Sequence, residues 1–131
     1  MRGYDSEYST TYMNGVPMTD LLNGNAMYYQ WSGLNDVMRS RENVNGLSPA
    51  NYAFGGIGGS TYIDSRASKQ RKQLSVSIAA SNRIYENRAM VTFGTGLMKG
   101  GWAIAGSITR RWSDEGYIPG TYYDGYSVFL A

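Results

Sequence analysis

The residues best suited to hydrolytic chemistry in this chain are two adjacent carboxylates, Asp114 and Glu115. A carboxylate pair that works as acid and base must face the same substrate. Neighbouring residues of an extended strand point to opposite faces, so these two do not converge if the strand continues through them. The chain has no histidine and no cysteine, which removes the commonest general base and thiolate metal ligands. We therefore predict no catalytic residue, no metal site and no cofactor, and we expect the protein not to be an enzyme.

Two further runs resemble ligand-binding motifs without meeting their requirements. Residues 55–60, Gly-Gly-Ile-Gly-Gly-Ser, lack the GxxxxGK[ST] spacing of a phosphate-binding loop, and no amphipathic helix follows. The glycines instead suit positive φ and close backbone approach. Residues 66–72 carry four positive charges in seven residues, but no aromatic residues are interleaved and the run is short. We interpret this run as a solvated linker and expect no nucleic-acid partner.

The strongest pattern lies in the second half of the chain, where apolar residues alternate with small or polar ones. Leu74, Val76 and Ile78 alternate with serine and alanine, and Trp102 to Ile108 repeats the pattern. Period-2 alternation places each set on its own face of a strand. In a small soluble sheet the apolar face would need a second layer, and the sequence supplies no helix or strand set large enough. The pattern predicts an apolar face that meets lipid.

The spacing of these segments is typical of a transmembrane β-barrel. Strands are predicted at about residues 72–82, 88–98, 101–112 and 122–131, with alternately short and long connections. No stretch approaches the roughly 18 apolar residues of a membrane-spanning helix, so a membrane role would require strands. Six aromatic residues lie near the predicted strand ends, where an interfacial girdle would sit: Tyr85, Trp102, Trp112, Tyr117, Tyr122 and Tyr123.

The first half, residues 1 to about 68, is irregular and rich in glycine, asparagine and serine. Thr10–Met13 is a predicted short strand, and Asn14-Gly15 is a strong tight-turn signal before Val16. Further strands are predicted at 38–44 and 59–65. Ser32 is a candidate cap for a helical turn, and a second helical turn is predicted at Ser48-Pro49-Ala50. The prediction for this half is a small mixed sheet with short helical turns.

Three motifs follow one another at characteristic spacing: Arg2-Gly3-Tyr4-Asp5, then Tyr12-Met13-Asn14-Gly15-Val16-Pro17-Met18, then the run from Tyr52-Ala53-Phe54-Gly55 to Tyr62-Ile63-Asp64. They resemble the plug-domain motifs of TonB-dependent outer-membrane receptors, in which barrel hairpins follow directly, as they do here. The richness in tyrosine and asparagine resembles that of receptors from Bacteroidetes-type bacteria. The resemblance implies a mainly β fold, with residues 1–68 as the C-terminal part of a plug and 69–131 as the first strands of a transmembrane β-barrel of about 22 strands. The chain is thus expected to be a fragment, without a signal peptide or an energy-coupling segment of its own.

The resemblance also implies a function, the energy-coupled uptake of a scarce solute across the outer membrane of a Gram-negative cell. The solute class is open between siderophore, vitamin, glycan and peptide. Implied partners are outer-membrane lipid, the solute, the TonB energy-coupling protein through a segment absent from this chain, and, as a further candidate, a surface lipoprotein. In such receptors the loop after the Asn-Gly-Val strand helps to bind solute. The matching residues are Asn23, Asn25, Tyr28, Tyr29 and Trp31.

Other interpretations of the same residues stay open at this point. Tyr28, Tyr29 and Trp31 are equally suited to pack a plug against a barrel wall. The whole chain also fits a surface barrel or adhesin without transport activity. A third interpretation is a soluble β-sandwich protein, in which the small-residue positions of the hairpins would form an ordinary sheet interior.

Overall fold

The computed structural model describes residues 5–51, 54, 56–82 and 84–131. These residues form two four-stranded sheets and several short 3-10 turns, which confirms a mainly β fold. The chain divides into two compact units, residues up to 30 with 38–65 and residues 31–37 with 66–131. Within the described ranges, no helix has the length and apolar character needed to cross a membrane.

The first unit contains a small mixed sheet, as predicted. Its strands are short, and their order across the sheet is β2-β1-β4-β3. The first and fourth strands pair in parallel, whereas the two outer pairings are antiparallel. The four strands are β1 (Thr10–Met13), β2 (Val16–Pro17), β3 (Arg41–Val44) and β4 (Ser60–Ile63).

The β1–β2 hairpin turns at Asn14 and Gly15, as the sequence predicts. Both residues have positive φ, 50° and 88°. A two-residue hairpin turn of type I′ requires positive φ at both of its central residues. The Asn14 side chain also reaches the end of β4. Its Nδ2 donates to Ser65 Oγ at 2.7 Å, and its Oδ1 accepts from the Ser65 N–H at 2.9 Å. One turn residue therefore fixes both the hairpin and the exit of β4.

The glycine run makes the close backbone approaches expected of it at two positions. Gly59 has a φ of +84°, and a Cβ there would overlap the Val44 carbonyl oxygen. A Cβ on Gly58 would lie 2.5 Å from the carbonyl carbon of Tyr8. Arg2, Gly3 and Tyr4 of the first motif, and Tyr52, Ala53 and Gly55 of the third, lie outside the described residues.

One predicted element of this unit is wrong, because residues 48–50 are not helical. Ala50 instead forms a β-bridge, so the backbone is extended where the turn would begin. The predicted third strand is also shorter than expected, beginning at Arg41 rather than at residue 38.

The second unit contains an open antiparallel sheet in chain order, β5-β6-β7-β8. All four predicted strands are present, and the sheet does not close into a barrel. The strands are β5 (Gln73–Ala80), β6 (Asn87–Gly94), β7 (Ala105–Ser113) and β8 (Tyr123–Leu130).

The β6–β7 hairpin is irregular near its tip, so both strands are shorter than predicted. The Ile104 N–H donates to the side-chain Oγ1 of Thr95 at 2.9 Å, and Gly96 adopts a φ of +64°. A side-chain acceptor and a positive-φ glycine are typical of a bulge that interrupts a ladder. The chain then turns at Gly101, which has a φ of +80° and donates to the Met98 carbonyl at 2.9 Å.

Candidate functional surfaces

The β5–β8 sheet exposes a continuous apolar face. Residues paired across neighbouring strands form rows that run perpendicular to the strands. One such row crosses all four strands and consists of Val76, Val91, Ile108 and Val128. The side chains are 41–83% exposed, so no other described residue covers them. We define the apolar face as Leu74, Val76, Ile78, Val91, Phe93, Ile108, Val128 and Leu130.

A glycine shapes the centre of the apolar face. Gly106 lies in the row between Phe93 and Leu130, and a Cβ on it would lie 2.8 Å from Cζ of the Phe93 ring. The missing side chain lets that ring lie over the strand. Beside it is a shallow cavity of about 200 Å³ lined chiefly by apolar side chains, including Val91 and Ile108. The centre of the face is therefore a shallow hollow lined almost wholly by hydrocarbon.

The apolar face ends in a polar aromatic cluster at the β7–β8 end. Arg110 donates from Nε and Nη2 to the two carboxylate oxygens of Asp124, each at 3.1 Å. Its guanidinium carbon lies 5.3 Å from the ring centroid of Trp112 and 5.2 Å from that of Tyr126. These are cation–π distances. The Arg110–Asp124 ion pair and its two flanking aromatic rings therefore border the apolar face.

The opposite face of the sheet, which we call the polar face, is buried. Thr92, Ser107 and Thr109 are 3%, 3% and 1% exposed, and the hydroxyls of Thr92 and Ser107 lie 3.0 Å apart in a hydrogen bond. The hydroxyl of Thr109 donates to the Gly33 carbonyl at 2.8 Å. The polar face is therefore occupied by a segment that is far away in sequence.

That segment, Trp31–Val37, is the part of the first half of the chain that belongs to the second unit. It fits closely, because a Cβ on Gly33 would overlap Ser127 Oγ and lie 2.6 Å from Ser127 Cβ. The Val37 carbonyl accepts from Gln70 Nε2 at 2.9 Å. Trp31 and Val37 are 6% and 1% exposed. The segment is anchored by both hydrogen bonds and steric fit.

Ser32 does not cap a helix, contrary to the sequence prediction. The 3-10 turn Ser32–Leu34 has Trp31 at its N-cap and no side-chain capping bond. The Ser32 hydroxyl instead accepts from Arg111 Nη1 at 2.8 Å. A tertiary hydrogen bond to a strand therefore takes the place of the local capping bond.

Two arginines emerge on the polar face beneath this segment. Arg111 lies between two aromatic rings, with its guanidinium carbon 5.6 Å from the Tyr85 centroid and 5.8 Å from the Tyr123 centroid. Arg88 Nη1 donates at 3.1 Å to Asn35 when the amide is oriented so that its nitrogen donates to the Ser32 carbonyl. Tyr85 and Tyr123 thus line the polar face rather than a girdle at the edge of the apolar face.

Arg88 and Arg111 are not among the residues predicted to form a site. Strand alternation nevertheless contains the signal, because Arg88 shares its face with Met90 and Thr92, which are buried. A charged residue in register with a buried face is unusual unless it has a partner. That combination could have marked the site.

The five predicted solute-binding residues fall in different units. Asn23, Asn25, Tyr28 and Tyr29 lie in the first unit, and Trp31 belongs to the buried part of the second. Tyr28 and Tyr29 are 47% and 68% exposed.

Hydrogen bonds fix part of this predicted loop. Asn25 Oδ1 accepts from the Ser6 hydroxyl, and the Asn25 N–H donates to Asn23 Oδ1 at 2.9 Å. The Tyr28 hydroxyl lies 3.1 Å from Thr11 Oγ1. These bonds hold the asparagines in a turn, whereas the two tyrosine rings offer the accessible aromatic area.

Comparison of the chain with protein-family models, with curated proteins and with solved structures finds no match.

Proposed function

We propose that this chain is part of a TonB-dependent outer-membrane receptor, with the first unit from its plug and the β5–β8 sheet from its barrel wall. The supporting observation is the inverted polarity of that sheet, whose polar face is buried and whose apolar face is exposed. In water a contiguous apolar face of this extent favours association or aggregation. In a membrane the same face would contact lipid hydrocarbon, which is apolar like the side chains themselves.

The height of the apolar face supports the proposal. Trp102 and Trp112 lie ten residues apart, on either side of the apolar rows of β7. A fully extended chain of that length spans at most about 33 Å, and the irregular tip before Ala105 makes the actual span somewhat shorter. At a strand tilt of about 40° this corresponds to about 25 Å along the membrane normal, the height of the apolar band in transmembrane barrels. The two tryptophans are therefore spaced as two interfacial anchors.

The soluble β-sandwich alternative lacks a matching observation. It requires a second layer over the apolar face, and the described side chains on that face are largely exposed. A surface barrel without transport activity shares the lipid-facing sheet, so transport must be tested separately.

The membrane topology gives one test. We assign the turn at residues 99–101 to the periplasm and the longer 113–121 connection to the outside, because outer loops exceed inner turns in length. These 131 residues contain no cysteine, so single Gly100→Cys and Tyr117→Cys variants in an otherwise cysteine-free receptor give clean labelling sites. On whole cells an impermeant thiol reagent should label position 117 and not position 100. Labelling of position 100 alone would contradict this orientation.

Solute contact gives a second test, in cells that express the receptor at full length. Replacing Tyr28 and Tyr29 with alanine should lower uptake of one of four probes, a ferric siderophore, cobalamin, an oligosaccharide or a peptide. Membrane abundance should change little, because both rings are exposed, and Tyr28→Phe, which removes only the hydroxyl that bonds Thr11, measures the cost of that hydrogen bond. Tyr117→Ala, another exposed tyrosine, is the matched control. A parallel loss of abundance would assign the tyrosines to packing, and unchanged uptake of all four probes would argue against transport through this loop.

A further inference from the structure

Arg88 and Arg111 face each other directly across the β6–β7 ladder. The strand register pairs them one to one, so both side chains leave the polar face at the same level. Like charges placed opposite each other in a sheet repel unless a third group compensates them. Within the described residues, the partners of both guanidinium groups are neutral oxygens and aromatic rings.

Both arginines also have unused hydrogen-bonding capacity. The Nε atoms of Arg88 and Arg111 are buried and have no hydrogen-bond acceptor in the described structure. A buried donor without an acceptor is unfavourable, and a donor on a charged group more so. A guanidinium group with unused N–H donors can bind planar or tetrahedral oxyanions.

The residues that flank the two arginines in their row are small. The transverse row that contains the arginines ends in small residues, Ala79 on β5 and Gly125 on β8. The Tyr123 ring fills the Gly125 side, where a Cβ would lie 2.9 Å from the tyrosine hydroxyl. On the other side Arg88 pairs with Ala79, whose side chain is a single methyl group.

We propose that Arg88 and Arg111 together form an oxyanion-binding site that takes a carboxylate or phosphate group. The two guanidinium groups donate charge-assisted hydrogen bonds from their free N–H groups to the anion, and the anion offsets their mutual repulsion. Tyr85 and Tyr123 hold Arg111 in place from its flanks. This site is argued from local geometry alone and does not depend on the transport proposal.

Arg110 provides an internal contrast. It is the next residue along β7, so its side chain leaves the other face, where Asp124 already engages its guanidinium with two hydrogen bonds. The same residue type is therefore charge-balanced on one face and not on the other. An added anion should distinguish the two positions.

The test uses the 131-residue chain in uncharged maltoside micelles, with the arginine Nε–H signals followed by ¹⁵N NMR. Sodium acetate and sodium phosphate are titrated separately at constant ionic strength set with sodium chloride. We expect saturable shifts of the Arg88 and Arg111 signals and none at Arg110. The more tightly bound probe identifies the site as one for carboxylate or for phosphate. Absent shifts, or equal unsaturated shifts at all three arginines, would overturn the proposal.

Variants sharpen the same measurement. Arg88→Gln should weaken binding, measured at Arg111, by about tenfold or more, since a charge-assisted hydrogen bond is worth at least that factor. Arg111→Lys keeps the positive charge but loses the planar set of guanidinium N–H donors. Its affinity for the anion, measured at Arg88, should lie between that of Arg88→Gln and that of the natural chain. Arg110→Gln should bind as the natural chain does. Equal weakening by Arg110→Gln would mean that net charge alone attracts the anion, which contradicts a built site.

Discussion

The two faces of the β5–β8 sheet differ in the opposite sense from those of a water-soluble sheet. On β7, Ile108 is 60% exposed, whereas its neighbours Ser107 and Thr109 are 3% and 1% exposed. The apolar side chains thus face the surroundings, and the hydroxyls face the Trp31–Val37 segment. The alternation therefore separates an exposed apolar face, which we propose meets lipid, from a polar face that is hydrogen-bonded to a distant peptide segment.

The two faces are stabilised in different ways. The polar face gains from directional contacts, including Thr109 to Gly33 and Thr92 to Ser107. Such contacts tolerate little change, because a lost partner leaves a buried polar group unsatisfied. The apolar face makes no such directional contacts, and it would be stabilised by leaving water for lipid, as we propose, which requires area and no particular partner. Substitutions on the two faces should therefore fail for different reasons.

The largest expected effect is a charge placed at the centre of the apolar face. In lipid vesicles Ile108→Arg should lower the free energy of unfolding by about 2–4 kcal/mol, the cost of an arginine at the bilayer midplane. Ala80→Arg lies in the row of Trp112 and Asp124 at the polar end of the face, and should cost about 0–1 kcal/mol. Denaturant titration in vesicles measures both. Equal values for the two variants would remove the argument that the face meets lipid.

A smaller effect is expected where the polar face meets its covering segment. Gly33→Ala should lower the free energy of unfolding by about 2 kcal/mol, because the added methyl overlaps Ser127 and the packed site must shift. Gly100→Ala is the matched control, since its Cβ would meet only the Trp102 ring at an ordinary 3.7 Å. Denaturant titration in micelles compares them. A neutral Gly33→Ala would mean that the segment does not pack on the sheet.

The smallest effect concerns a single hydrogen bond on the polar face. Thr109→Val keeps the shape of the side chain and removes the donor to the Gly33 carbonyl, so we expect a loss of about 1 kcal/mol. Replacing both members of the Thr92–Ser107 pair, as Thr92→Val with Ser107→Ala, should cost less than that, because no partner is left unsatisfied. The same titration ranks the two variants, and the reverse order would contradict the proposed role of the Thr109 bond.

Much of the fold follows from local sequence signals. Alternation identified all four strands of the second sheet and the side chains that share each face, and Asn14-Gly15 identified the first hairpin. These signals involve only a few consecutive residues, so they can be recognised without knowing which distant residues pack against them. The irregular β6–β7 tip was missed because it depends on Thr95 accepting a strand hydrogen bond through its side chain.

The candidate sites depended on contacts that the sequence does not encode locally. Thr109 and Gly33 are 76 residues apart. No residue type or pattern near Gly33 predicts that this segment packs against a strand. Trp31 was assigned with Tyr28 and Tyr29 because it follows them in the chain, yet it is buried in a different unit. The Arg88–Arg111 pairing needs the cross-strand register, which a one-residue slip would abolish.

The most direct test of the central claim compares adjacent residues on β5. Nitroxide labels are placed singly by Val76→Cys and Ser77→Cys, and the chain is reconstituted in lipid vesicles. Val76 is 68% exposed on the apolar face, and Ser77 is half-buried on the polar face. Our account predicts that dissolved oxygen, which concentrates in lipid, relaxes the label at 76 far more than the label at 77, and that a water-soluble nickel complex does not reach position 76. A label at 76 that is relaxed by nickel as strongly as an exposed aqueous site would contradict the account.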